Sequence, residues 1–552
     1  MKRAPKAPVK AKANRIGGSK LARSMRLAIE NVARFGDTDI FPFSIERHVI
    51  RDRPDDALSI LLQINETLDQ SIHEMPIESE RLLQAVGYTG FRQGTQIDPI
   101  WNLYLLGMVI LIGDDIEAAR VPASRGVVFS YRFAPETADH SLFAKNHGWE
   151  EFQKKAVELA HSYKYVLSCD ISDFYPRVYH HRLENALKKA TRNTQAIAHI
   201  KRVLSELARG ASYGLPVGGP ATRLLSELLL NRVDKLLLGH GCAFCRFVDD
   251  YYLFAQTQED AYSGLVYLSE TLLENEGLSL QKTKTRIMSA SEFLDTSAFS
   301  TENVPDDPEQ VMHRDFLALH IHFDPYSETA VEDYETIKAE LTKFDIVGML
   351  AAEMQKSRIS ETLTRKLVRA LRHISGPSRQ TAITSLTENL PILYPILPTV
   401  MMVLRDILPE LSSGIKEPLF AQLRRIIETN SYLCAVPTNL AFVLRLLAAD
   451  DSEETDATLM KVYSSTASTM IKRDVILILA KHNADYWISA QLKRYNSCSL
   501  WERRALLIAS YILEDEGDHW RKRLKGGLSP FDVLVVKWAS YKKQAGTPWD
   551  LG

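Results

Sequence analysis

Residues 245–254 read CRFVDDYYLF. Asp249 and Asp250 stand side by side in an otherwise apolar and aromatic run, a poor place for unpartnered carboxylates. Upstream, residues 165–183 read YVLSCDISDFYPRVYHHRL, and Asp170 ends the apolar stretch YVLSC. FCRFV reads as a second strand, ending at Asp249. Two strand-end carboxylates from separate parts of a chain can converge on a divalent cation. Mg2+ takes oxygen ligands, commonly one or two carboxylates plus substrate phosphates, and a pair of such ions clamps the attacking and leaving oxygens of a phosphoryl displacement. A lone DD pair is more often an ordinary strand end. What surrounds this one decides the reading.

The surrounding elements come in a fixed order: DISDFYP, then GLPVGGPATRLLSE (214–227), FVDD (247–250), GLSLQKTKT (277–285) and EFLDTSAF (292–299). This series resembles the successive palm motifs, lettered A to E, of reverse transcriptases, with FVDD as their aromatic-x-Asp-Asp signature. The resemblance implies an α+β fold, right-hand polymerase fingers and palm of reverse transcriptase type. It implies that Asp170 and Asp249 bind metal with Asp250 and the Ile171 carbonyl beside them, the ion being Mg2+ or alternatively Mn2+. Tyr175 falls at the position of the steric gate that selects dNTPs. Pro216, Val217 and Gly218 fall in the turn beside the nascent pair. Lys284 matches a lysine near the incoming phosphates and is a candidate general acid, with a solvated surface lysine as the alternative. Arg125 and Arg132, in SRGVVFSYRF, fall where fingers supply triphosphate-binding cations, although the usual fingers motif is not recognisable there.

GDTDIFPFSIE (36–46), LPVGGPATRLLSE and a long helical C-terminus resemble the bacterial abortive-infection and unknown-group reverse transcriptases of phage defence. That likeness implies a cytoplasmic bacterial enzyme, a closed homo-oligomer, and DNA made without a template and started on a hydroxyl of the protein itself. The product would be single-stranded DNA attached to the chain. Val217 stands where most reverse transcriptases have glutamine, and valine can neither donate nor accept a hydrogen bond, which weakens the case for templated copying. No tyrosine precedes Tyr88, so Tyr88, Tyr104 and Tyr131 are the primer candidates in the fingers, with Ser and Thr hydroxyls also open. The competing readings are an RNA-templated enzyme copying a bound non-coding RNA, and a non-catalytic nucleic-acid-binding scaffold.

The rest of the chain supports a large multidomain protein. Its 552 residues suffice for several cores, and 45% apolar with 25% charged residues is a globular composition. No apolar run reaches the roughly 18 residues of a membrane span. The start is basic without an apolar core, so no secretory signal is expected. Five cysteines, an odd number, suggest a reducing compartment. Cys242 and Cys245 read as small residues leading into a strand rather than a zinc pair. The expected division is a basic disordered arm (1–25) suited to phosphate backbones, helical fingers with part of the palm (26–160), palm (161–300), connector (301–335) and an α-helical, HEAT-like repeat domain (336–552). Segments such as TRKLVRALRHI, NLAFVLRLLAA and RDVILILAKH carry the helical period of that last part.

Overall fold

The computed structural model describes residues 19–296, 312, 313, 315–317, 319, 337–341, 343–524, 526–547, 549 and 551. The arm up to residue 18 and most of the 301–335 connector lie outside the described residues. The basic segment expected to run to residue 25 ends earlier, because Lys20–Phe35 is a helix capped by Ser19, whose hydroxyl accepts from the Ala22 amide. Ala22 and Met25 are buried in that helix, so this stretch is core and not tail.

The fold is helix-rich α+β. Strands β1 (Ser79–Val86) and β2 (Gly90–Ile97) make an antiparallel hairpin. The second sheet has β3 (Tyr165–Asp170), β4 (Ala243–Phe247), β5 (Asp250–Ala255) and β6 (Arg286–Ser289) in the order β4-β5-β3-β6, antiparallel throughout. Side chains alternate across a strand, and here the alternation sorts two cores. Val166, Cys245, Phe254 and Met288 face the helix Trp149–Ala160. Leu167, Cys169, Phe244 and Leu253 face the helices Pro220–Gly239 and Gln258–Glu276. Both faces are therefore covered, and the strands read as continuous apolar runs.

Beyond residue 345 every described element is a helix or helical turn. The helices pack on the neighbour two places along: Ile346–Met354 on Pro377–Glu388, Leu397–Ile407 on Pro437–Leu447, then Thr469–Lys481, Leu500–Ala509 and Pro530–Gln544 in turn. The array does not share one core. Residues 316–447 form one apolar cluster, whereas residues 444–551 join the cluster that begins at Met25. The expected 336–552 unit thus splits, and its last part is continuous with the N-terminal helices. Trp538 Nε1 donates to Asp52 across that junction at 2.9 Å. Arg504, fully buried, reaches both Asp98 and Asp532. Among the described residues no single helix is long and apolar enough to cross a membrane. The most apolar helix, Pro99–Leu111, is buried all round within this core.

Candidate active site

Three acids meet at one end of the palm sheet. Asp170 closes β3 and Asp250 opens β5, and the two are direct cross-strand partners. Cross-strand partners share a face, so two like charges stand together. Asp249 lies in the two-residue turn between β4 and β5, with Phe247 paired to Asp250. Its carbonyl accepts from the Ile171 amide at 3.1 Å, which ties the turn to the end of β3. The neighbouring segment Ser279–Gln281 completes the floor, as the Gln281 amide donates to the Asp170 carbonyl at 2.7 Å.

The crowding is visible in the acids' proton affinity. Burial, then the charges of Asp170 and Asp250, push Asp249 up to about 7. Burial and Asp170 push Asp250 up to about 6. Lys284 is the one cation touching them among the described residues, its Nζ 2.5 Å from Asp170 Oδ2, and that bond raises the lysine's own value. Three carboxylates with one half-exposed lysine leave surplus negative charge. No group of three or more His, Cys, Asp or Glu side chains among the described residues is arranged to enclose an ion unaided. The donor set fits a divalent ion that takes part of its shell from substrate phosphates, as Mg2+ does.

The turn that carries Asp249 is held from behind. Val248 has φ +56°, in the left-handed region, where a β-branched residue is strained. A two-residue hairpin of this kind requires positive φ at its first central position. Ser130 Oγ accepts from the Val248 amide at 3.0 Å, and Arg246 Nη1 donates to the Val248 carbonyl at 2.8 Å. Arg246 is wholly buried and also binds Asp234 and Glu227, two helical turns apart on one face of Pro220–Gly239. Arg120 and Ser130 fill the remaining Glu227 contacts at 2.6 Å each. Strand parity explains the division of labour: Arg246 points to the helix face and Asp250 to the open face. Tyr131 (φ +44°) and Asp173 (φ +48°) are two further left-handed residues at the rim. Such conformations cost of order 1–3 kcal/mol each and concentrate at functional sites.

The other residues singled out by sequence divide clearly. Tyr175 follows Asp170 on the short helix Phe174–Arg177, its ring 5.2 Å from Phe174, with Tyr131, Asp249 and Arg223 in its electrostatic surroundings. Pro216 is buried, and Gly218 (φ +124°) lies so close to Thr38 that an added Cβ would come within 2.7 Å of its hydroxyl. Val217 packs in an apolar cluster with Ile40, Phe41, Leu82, Ala441, Met470 and Trp501. Arg125 is exposed on a single helical turn. Arg132 is not available to a triphosphate in this arrangement, since it is buried against Glu117 (3.0 Å) and the Val128 carbonyl. The three tyrosines differ as well. Tyr104 is fully buried and bonded to His199 at 2.6 Å. Tyr88 donates to the Ile392 carbonyl and accepts from the Ile359 amide, a pin into the helical region. Tyr131 alone has Asp249 and Arg223 in its surroundings, with Phe247 of the FVDD segment 6.1 Å away ring to ring.

Arg223 escaped the sequence reading. It sits inside GLPVGGPATRLLSE, its guanidinium 5.0 Å from the Tyr131 ring and paired with Asp39. Its position one helical turn before Glu227 was the available signal: the first turn of that helix faces the acids. The CxxC residues do what was expected of small apolar side chains, with Cys245 in β4 and its thiol pushed up by burial.

A family model described as reverse transcriptase (RNA-dependent DNA polymerase) matches residues 129–321. No curated protein matches the chain. Among solved structures, telomerase from Candida albicans in complex with the TWJ fragment of telomeric RNA aligns at 12% identity, covering 73% of this chain and 67% of that one, with a TM-score of 0.29. Apo telomerase from Candida tropicalis aligns at 10% identity, covering 69% and 73%, also at 0.29. A shared overall fold does not follow from scores of that size. The family match, falling on the segment that holds all three acids, shows that the chain carries a reverse transcriptase domain, that of an RNA-directed DNA polymerase.

Proposed function

We propose that the chain is a DNA-synthesising enzyme of bacterial anti-phage defence, of the abortive-infection kind, working without a template and priming on itself. The observation that carries the polymerase chemistry is the convergence of Asp170, Asp249 and Asp250 with too little protein cation beside them. Asp170 and Asp249 would hold Mg2+, with Mn2+ as the alternative ion, and Asp250 and the Ile171 carbonyl would complete the protein's share. Bound ions there supply the charge that steadies the attacking and leaving oxygens of phosphoryl transfer. Lys284 keeps a proton at Nζ beside Asp170, ready for a departing pyrophosphate. The Tyr175 ring excludes a ribose 2′-hydroxyl.

Template independence and self-priming are supported by two placements. Val217 is engaged with Ala441, Met470 and Trp501, so the turn that would present an amide to a template-paired nucleotide instead anchors the helical region. Tyr131 is the candidate hydroxyl with an acid of the site in its surroundings. Incubation with dNTPs and Mg2+, followed by denaturation and intact-mass measurement, tests this reading. Nucleotide added in covalent linkage, and lost in Tyr131→Phe, is the expected result. Free DNA whose sequence follows a co-purifying RNA would replace it with templated copying. No incorporation at all would leave the scaffold reading.

A further inference from the structure

A second cavity, of about 600 Å3, opens on the other side of the loop 36–43 from the acids. Its volume is that of a small-ligand cleft, about 300–1,000 Å3. Three parts of the chain enclose it: the GDTDIFPF loop, the β1–β2 hairpin and the helices around residues 361–442. It adjoins the active site through one layer of chain, because the Asp39 amide donates to the Gly218 carbonyl and Asp39 also binds Arg223.

The lining combines cations with aromatic rings. Arg92, Arg365, Arg369 and Arg405 face it against the carboxylates of Asp39 and Glu361. Both carboxylates are already engaged, Asp39 with Arg223 and Glu361 with Arg365. Arg369 is exposed and makes no ion pair among the described residues, and its charge is disfavoured by burial and by Arg372 and Arg365 nearby. The wall is thus positive without a partner. Phe35 stands at the mouth, 47% exposed, and Phe43 lies further in. Deeper still is Asn439, 1% exposed, whose amide nitrogen and oxygen are both buried and make no hydrogen bond. A buried amide with neither function satisfied is costly and rare. It offers a donor and an acceptor side by side, the pattern that pairs with the edge of a nucleobase.

We propose that this cavity binds a nucleotide unit, with its base against the phenylalanines and Asn439 and its phosphate on Arg369 and Arg405. Aromatic platforms combined with a positive groove are how single strands are held. The unit can belong to a strand passing the active site or to a free nucleotide. The proposal rests on the polymerase reading only in taking nucleotides as this chain's ligands, and its test runs without catalysis.

The full-length protein in EDTA is titrated with a fluorescent oligothymidylate carrying 4-thiothymidine, and crosslinked peptides are mapped. Phe35→Ala and Arg369→Glu, both at exposed positions, should each weaken binding about tenfold, the size of one lost base stack or phosphate contact. Arg369→Glu should also flatten the salt dependence by roughly 0.7 in log–log slope. Asn439→Leu should weaken binding too, and Lys461→Glu, an exposed charge reversal elsewhere, should not. Crosslinks are expected in the 35–43 or 395–405 peptides. Displacement by millimolar dTMP identifies a mononucleotide subsite, and displacement only by unlabelled oligomer identifies a strand. Wild-type affinity in Phe35→Ala and Arg369→Glu, or crosslinks confined to other peptides, overturns the proposal. Incorporation measured separately with Mg2+ tells that failure apart from failure of the polymerase reading.

Discussion

Two groups of buried acids lie back to back on the palm sheet and are treated in opposite ways. Glu227 and Asp234 are fully buried, yet each is met by arginine: Arg246 serves both, and Arg120 serves Glu227 as well. Those arginines hold Glu227 below the usual carboxylate range despite its burial. Asp170, Asp249 and Asp250 share one half-exposed lysine, and Asp249 rises to about 7. The protein neutralises its structural acids internally and leaves the site's acids to a ligand. The contrast teaches that burial alone does not mark a functional carboxylate. The missing counter-charge does.

The largest effects should break the two groups in different currencies. Asp249→Asn or Asp170→Asn should reduce nucleotide incorporation to background while the circular dichroism spectrum stays that of the wild type, because phosphoryl transfer loses a shared metal ligand. Near-normal incorporation in both variants would remove these acids from the chemistry. Arg246→Met should do the reverse. It strands Asp234 and half of Glu227 without counter-charge, and breaking a buried pair costs about 3–5 kcal/mol. Denaturant titration should register that loss, and the Val248 turn should loosen with it. A variant as stable as the wild type would mean that Arg246 is not what compensates these acids.

A smaller effect sharpens the gate. Tyr175→Ala should admit ribonucleotides with little change in dNTP use, read as the ratio of kcat/KM values for the two sugars. Unchanged discrimination in an active variant would put the gate elsewhere.

How much of this was legible beforehand follows from sequence distance. Asp170, Asp249 and Asp250 sit in short motifs whose order carries the information, and strand parity then brings them to one face. Arg246 lay inside the very stretch that raised the question, but its partners are on another helix and parity turns it away from the acids. Val217 looked like a nucleotide contact because its motif has glutamine there. Its true neighbours, Ala441, Met470 and Trp501, are more than two hundred positions away in the chain, and no local pattern reports them. The same holds for the helical region, whose helices were legible by period while its division between two cores was not. Tyr104 is the opposite case: PIWNLYLLGMVIL is apolar on every side, which already argued for a core tyrosine.

The last prediction turns the comparison into a pH experiment on the metal-free protein. A carboxyl whose folded value is raised favours its protonated form in the fold. Its ionisation therefore weakens folding progressively as pH rises from its unfolded value, roughly 3.9, through its folded value. For Asp249 the folded value is about 7, and for Asp250 about 6. In EDTA the wild type should lose stability across that window. Asp249→Asn, which cannot ionise and relieves Asp250 of one neighbour, should lose less. At pH 8 the variant should be the more stable by on the order of 1–3 kcal/mol, and near pH 4 the two should coincide. Adding Mg2+ should narrow the gap at pH 8 by stabilising the wild type more than the variant, since binding to the native state alone adds to its stability. The paired group gives the control: Glu227→Gln removes a carboxylate that already has its arginines, so it should destabilise at pH 8 with or without Mg2+. A variant at Asp249 that is less stable than the wild type at pH 8 in EDTA would show that its charge is compensated within the protein after all, and the distinction between the two groups of acids would fall.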